Sequence, residues 1–183
     1  MSIIVWFDLE GISIFPIFHV AVPLLVFEIP YIKRKQDFNR LALIIGSILP
    51  DLIDKSLMFL GLGSGRGYSH TLIFVAALYA ITLLLLKGKT IIPNSLTIGI
   101  LFHLLLDLPE IPLFFPFINY QFIYLEDPLS GWLFSLLNDP IVQITETLGI
   151  LFLIIIVFQN KLYSIRYIFT YIKESNVNQK IQE

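Results

Sequence analysis

The chain contains no cysteine. Disulfides, thiolate nucleophiles and thiolate metal sites are thereby excluded. Charge is scarce as well. Only 14% of the 183 residues are Asp, Glu, Lys or Arg, against about 25% in a typical soluble domain. No basic stripe is interleaved with aromatics, so nothing points to nucleic acid as a partner. Internal repeats and low-complexity tracts are lacking, and histidine occurs three times in all. The first ten residues hold Asp8 and Glu10 and no basic n-region. A cleavable signal peptide is therefore not expected, and the first hydrophobic segment should be retained as a span.

What is present in quantity is apolar surface. Hydrophobic residues make up 56% of the chain, and the mean hydropathy is +0.81. A bilayer-spanning helix needs roughly 20 predominantly apolar residues. Candidate spans fall at residues 11–32, 41–62, 69–86, 91–108 and 141–158, the second interrupted by Pro50, Asp51 and Asp54. The expected fold is all-α: a single-domain, polytopic transmembrane helical bundle of about five spans. Residues 109–140 are apolar and aromatic but broken by Pro109, Pro112, Pro116 and Pro128. Unpaired backbone is not tolerated against lipid, so this stretch reads as interfacial or re-entrant. The tail, 161–183, begins as an interfacial helix and then becomes polar.

Orientation follows from the basic residues. Lys33, Arg34, Lys35 and Arg40 follow the first span, Lys87 and Lys89 the third, and Lys161, Arg166, Lys173 and Lys180 the fifth. The alternate segments hold only Arg66, with Glu126, Asp127 and Asp139. The N-terminus is therefore expected outside and the C-terminal tail in the cytoplasm.

Ionisable residues within spans are costly and mark functional sites by default. All three histidines lie in or at the mouth of spans: His19, His70 and His103. Asp51, Asp107 and Glu146 accompany them. On the expected topology all six fall in the outer half of the bundle or near its midplane, while Glu28 sits near the inner end, within reach of the basic loop. His103 and Asp107 are one helical turn apart and share a face. An imidazole and a carboxylate so placed can ligate one metal ion. Without thiolate, the donor set suits Zn²⁺, Mn²⁺ or Fe²⁺. Such an ion acidifies water and polarises a phosphoryl or carbonyl oxygen. Plainer readings stand beside this one. The HxxxD pair can be a hydrogen-bonded helix pair, and His70 a helix-terminal interface residue. His19, between Pro16 and Pro23, can satisfy backbone freed by a kink. Asp51 can cap a helix restarted after Pro50. Asp54 can be a local cap or an ion pair with Lys55, and Glu110 an interfacial carboxylate. Arg66, in GSGRGYSH, belongs either to a flexible loop or to an anion-recognition element, where Tyr68 and Ser69 can orient a ligand.

Read in order, His19, GSILPD (46–51), RGYSHT (66–71) and HLLLD (103–107) resemble the family of membrane-bound metal-dependent hydrolases. The likeness covers residues 15–110, with a weaker echo at Glu146. The order is also similar, more distantly, to the all-α zinc-dependent phospholipase C fold. That likeness implies that Asp51, His70, His103 and Asp107 hold one ion, and that His19 and Asp107 help to hold a second. Asp107 would be the bridging ligand. The sequence departs from that fold after His103, where no histidine follows: the position expected to pair with Glu146 is Val142. The implied cofactor is a divalent metal, zinc first, in one or two copies.

The function expected from these features is a membrane-embedded, metal-dependent hydrolase of the phosphoester type, acting on a lipid or lipid-linked substrate. Glu146 or Asp54 would be the general base, and Arg66 would recognise the anion. Cation or proton transport, and a structural bundle with a polar or metal-bound core, are the alternatives. Membrane lipids are the expected partners; the oligomeric state is not legible.

Overall fold

The computed structural model describes residues 15–122 and 127–173. The first residues of the expected first span (11–14), Asp8, Glu10, Glu126, Lys180 and the polar end of the tail lie outside the described residues. Among the described residues the regular elements are eight α-helices and one short 3-10 turn, with no sheet.

The elements start and stop where local chemistry dictates. Helix α1 (Pro16–Glu28) opens with proline at its first position, where a missing N–H costs nothing. Pro30 opens α2 (Pro30–Lys35) in the same way, dividing what the sequence suggested was one span. Helix α3 (Arg40–Phe59) is capped by Asn39, whose side chain accepts from Ala42 N. Thr71 caps α4 (Leu72–Leu85) through Phe74 N. Helix α5 (Ile91–Leu106) ends at Asp107, and Pro109 follows. Helix α6 (Pro128–Asn138) lies within the stretch expected to be interfacial. Its cap, Asp127, accepts from the Ser130 amide and hydroxyl, which hold its carboxyl below the ordinary range. Helix α7 (Pro140–Gln159) is capped by Asp139, and α8 (Ile165–Lys173) opens the tail.

Helix α7, 20 residues long, is both long and apolar enough to cross a bilayer; at about 1.5 Å per residue it measures about 30 Å. The other expected spans do not reach that standard. Helices α1, α4 and α5 are apolar but have 13, 14 and 16 residues. Helix α3 has 20 residues but carries Arg40, Asp51, Asp54 and Lys55. The expectation that Pro50 interrupts the second span is corrected: α3 runs through it. Two carbonyls near the proline find outside donors, Ser47 O from His103 Nδ1 and Pro50 O from the Ser69 hydroxyl. Asp51 is therefore a mid-helix residue, not a cap.

Packing centres on α3 and α5, with α1 between α3 and α7. Helices α3 and α5 touch backbone to backbone at Gly46 and Gly99. A Cβ on Gly46 would lie 2.1 Å from Leu96 O, and one on Gly99 2.3 Å from Leu43 O. Small residues permit such crossings in apolar bundles. This crossing positions the site, because Asp51 lies five residues beyond Gly46 and His103 four beyond Gly99. A second close approach sets α7 on α1, where a Cβ on Gly149 would stand 2.9 Å from Phe18 N. At the other end of the bundle, Glu28 reaches the basic loop as its position suggested. It accepts from Lys33 Nζ (2.7 Å), Arg40 Nε (3.0 Å) and the Tyr171 hydroxyl (2.7 Å), tying α8 to α1 and α3. Leu84, Leu85, Ile144 and Phe158 stand exposed on α4 and α7, a surface suited to lipid.

Candidate metal centre

Three elements converge beyond the Gly46–Gly99 crossing. Helix α3 brings Asp51, the 3-10 turn Tyr68–His70 brings His70, and α5 brings His103 and Asp107. Each of the four is buried, and each offers one ligand atom within 4.8 Å of the other three. His70 Nε2 lies 3.2 Å from His103 Nε2, and 3.6 Å from both Asp51 Oδ1 and Asp107 Oδ2. His103 Nε2 lies 3.2 Å from Asp107 Oδ2 and 3.8 Å from Asp51 Oδ1. A tetrahedral zinc site with ligand bonds near 2.0–2.1 Å has edges of about 3.3 Å. The donor atoms are thus spaced to take a metal ion.

The rings are oriented for that task. His103 Nδ1 donates to Ser47 O (2.8 Å), His70 Nδ1 to Asp54 Oδ2 (2.7 Å) and His19 Nδ1 to Phe15 O (3.1 Å). A carbonyl or carboxylate oxygen only accepts, so these partners assign the proton to Nδ1 and leave a lone pair on each Nε2. Metal-ligating histidines are held in this way. In neutral rings the lone pairs of His70 and His103 then face each other across 3.2 Å. A metal ion held by both, or a proton carried on one Nε2, relieves that opposition.

Asp54 supports the centre. Its Oδ2 accepts from His70 Nδ1, Gly67 N (2.7 Å) and Ser69 N (3.2 Å), fastening the turn that carries His70 onto α3. The ion pair suggested for Asp54 with Lys55 is corrected: Lys55 Nζ meets Asp51 Oδ2 at 2.5 Å, one turn back along the helix. The Ser69 hydroxyl holds the same turn by donating to Pro50 O (2.8 Å). Tyr68 is exposed and packs its ring against Phe115 and Phe122. Beside Asp54 lies a cavity of about 70 Å³, bounded in part by Gly63, Tyr68 and Phe122. A water needs about 10–15 Å³ of such volume, so the cavity admits a few.

His19 approaches from α1. Its Nε2 lies 3.2 Å from Asp107 Oδ1, and both atoms are buried without a hydrogen-bond partner. Asp107 therefore divides its oxygens, Oδ2 toward His70 and His103 and Oδ1 toward His19. Arg66 stands at the edge, with Nη2 3.8 Å from Asp107 Oδ1 and Nη1 paired with Glu110. Glu146 is placed differently from expectation. Its Oε1 accepts from Phe18 N (3.0 Å), in the first turn of α1, and it is not among the clustered ligand atoms. There it satisfies one of the orphan amides of a helix start and complements the helix dipole.

Two contributors were undervalued in the sequence. Asp54 lies three residues from Asp51, and hence on the same face of α3; that spacing was the available signal. Glu110 lies three residues beyond Asp107 in a turn, with its amide on Asp107 O (3.0 Å). The carbonyls of Ser47 and Phe15 left no sequence signal at all.

The family model described as YdjM inner membrane protein matches residues 16–172. The chain belongs to this family. No curated protein and no solved structure matches it. The YdjM match spans every helix from α1 to α7 and most of α8, including all eight residues singled out above as ligands, bases or anion contacts. A membrane-associated YdjM protein thus carries a buried His and Asp cluster suited to a metal ion.

Proposed function

We propose that this YdjM protein is a membrane-embedded, metal-dependent hydrolase of the phosphoester type, acting on a lipid or lipid-linked substrate. The observation that carries the reading is the convergence of two Nε2 lone pairs and two carboxylate oxygens, with each ring fixed through Nδ1. Asp51, His70, His103 and Asp107 would hold the first ion. The buried, unpartnered pair of His19 Nε2 and Asp107 Oδ1 supports a second ion, with Asp107 shared between the two. Imidazole and carboxylate donors favour zinc, with manganese or iron as the other fits. When bound, the ion supplies Lewis acidity, acidifying water and polarising a phosphoryl oxygen.

The chain's own groups do the rest. Asp54 keeps His70 aimed and raises its basicity as a ligand. Lys55 neutralises the Asp51 oxygen turned away from the cluster. Arg66 presents a guanidinium to an anionic group at the edge of the site. Glu146 and Asp54 were the expected general bases. Their partners support positioning roles instead, Glu146 at the start of α1 and Asp54 on the His70 turn. The cavity beside Asp54 holds space for water next to the turn that carries His70. The basic residues of α2, of the loop after α4 and of α8 support an orientation with the cluster toward the outer face and those segments in the cytoplasm.

The test is hydrolysis of a panel of phosphoester lipids and soluble phosphoesters by detergent-purified protein loaded with zinc, manganese or iron. Turnover that disappears in Asp107→Ala supports the reading. Metal-loaded protein that turns over none of them, and loses its fold when the metal is stripped, would assign the centre a structural role.

A further inference from the structure

Arg66 and Glu110 form an ion pair at the rim of the cluster. Arg66 lies in the loop between α3 and the 3-10 turn, directly after Gly65, whose φ of +83° and lack of a Cβ let the chain turn over Met58. The loop delivers the guanidinium to the rim of the metal cluster, with side-chain exposures of 19% for Arg66 and 15% for Glu110. One arm, Nη2, points toward Asp107 Oδ1, and the other, Nη1, is held by Glu110 Oε2. A guanidinium is a planar fork that recognises carboxylate and phosphate alike. Its resident carboxylate here belongs to a turn anchored on the cluster, through Glu110 N on Asp107 O (3.0 Å).

The geometry points to an anion gate: Glu110 occupies the arm of Arg66 that receives a phosphoryl group of the substrate, and the incoming phosphate displaces it. This rests on the phosphoester reading above and gives that site its anion-recognition element. The other arm, Nη2, stands 3.8 Å from Asp107 Oδ1, so a phosphate taken by Arg66 would sit at the rim of the cluster that would hold the ion. In the resting protein Glu110 keeps the guanidinium paired in a partly buried setting and competes with weak anions. A dianionic phosphate, with more charge and more acceptor oxygens than a carboxylate, wins the exchange. The shared chemistry is a terminal phosphate, whether free or on a lipid headgroup.

Titration calorimetry on metal-loaded, detergent-purified protein tests this, with inorganic phosphate and short-chain phosphatidic acid as separate probes. Glu110→Gln keeps the shape and removes the competing charge. It should bind both probes more tightly, by about tenfold, as expected for one charge-assisted hydrogen bond. Arg66→Ala should weaken both by a similar factor, and Arg66→Lys, which keeps the charge without the fork, should fall between wild type and Arg66→Ala. Stronger binding of phosphatidic acid than of phosphate names the lipid headgroup as the source, and equal binding names the phosphate alone; both support the gate. Unchanged or weaker phosphate binding in Glu110→Gln overturns it, as does unchanged binding in both Arg66 variants. Metal content is measured on the same samples. Protein that holds no metal contradicts the hydrolase reading, whereas metal-replete protein whose phosphate binding ignores Glu110 contradicts the gate alone.

Discussion

Replacing Asp54 by Asn separates ligand orientation from folding. Asp54 Oδ2 accepts from His70 Nδ1 at 2.7 Å, Gly67 N at 2.7 Å and Ser69 N at 3.2 Å. Asn can present its amide oxygen to the same three donors, so the turn stays docked. What it removes is the negative charge behind His70. Loss of a partner that orients a ligand costs about 10- to 100-fold in metal affinity, or roughly 1.4–2.7 kcal/mol. Because bound metal stabilises the folded state in proportion to RT ln(1 + [L]/Kd), the metal-dependent part of the stability should fall by the same amount at saturating ion. Asp54→Ala behaves differently. It removes the acceptor of the buried Ser69 amide, the half-buried Gly67 amide and the buried His70 Nδ1, at about 1–3 kcal/mol for each buried group, so it should also destabilise the metal-free protein. The assay is competitive titration with a chromophoric chelator, beside thermal unfolding with and without metal. Asp54→Asn with wild-type metal affinity would refute the assignment of His70 as a ligand held through Nδ1. An Asp54→Ala variant as stable as wild type without metal would refute the packing of the turn.

Gly99→Val should disrupt the site from a distance. Its Cβ would lie 2.3 Å from Leu43 O, so α3 and α5 must separate. Overpacking costs about 1–3 kcal/mol or more, and both thermal stability and metal retention should drop together. Glu146→Ala removes the acceptor of Phe18 N and should cost about 1 kcal/mol of stability, the value of a helix N-cap, while metal content stays at the wild-type level. Complete loss of turnover with stability unchanged would instead restore Glu146 as a general base. At the opposite end, Glu28→Ala removes the carboxylate that accepts from the fully buried Arg40, and should destabilise by about 3–5 kcal/mol. Tyr171→Phe removes only the hydroxyl bond to Glu28 and should cost about 1 kcal/mol, freeing α8 to proteolysis at lower temperature than wild type.

The sequence disclosed the cluster better than the helices that carry it. His103 and Asp107 are readable as one helical face, and Asp51 and His70 stood out as ionisable residues in or at the mouth of apolar segments. The buried cluster of Asp51, His70, His103 and Asp107 matches that reading. The continuity of α3 was not legible, because a proline inside an apolar run signals a break, whereas α3 carries the buried Pro50 in a helix packed against α5 and the His70 turn, contacts made by other parts of the chain. The separation of α1 from α2 was legible only as Pro30, which the hydropathy of the run concealed. The Gly46–Gly99 crossing depends on which two helices meet, a tertiary fact that neither glycine states alone. The contact of Glu146 with Phe18 N was hidden for a related reason: it depends on the close seating of α7 on α1 at Gly149.

The most direct measurement is elemental analysis of detergent-purified protein, wild type beside a His103→Ala/Asp107→Ala double variant. The expected result is about one or two equivalents of zinc, manganese or iron in the wild type, as a three- or four-ligand site retains its metal through purification, and loss of that metal in the variant. Wild-type protein without metal, even after reconstitution with each of these ions, would contradict the metal centre and the hydrolase built on it.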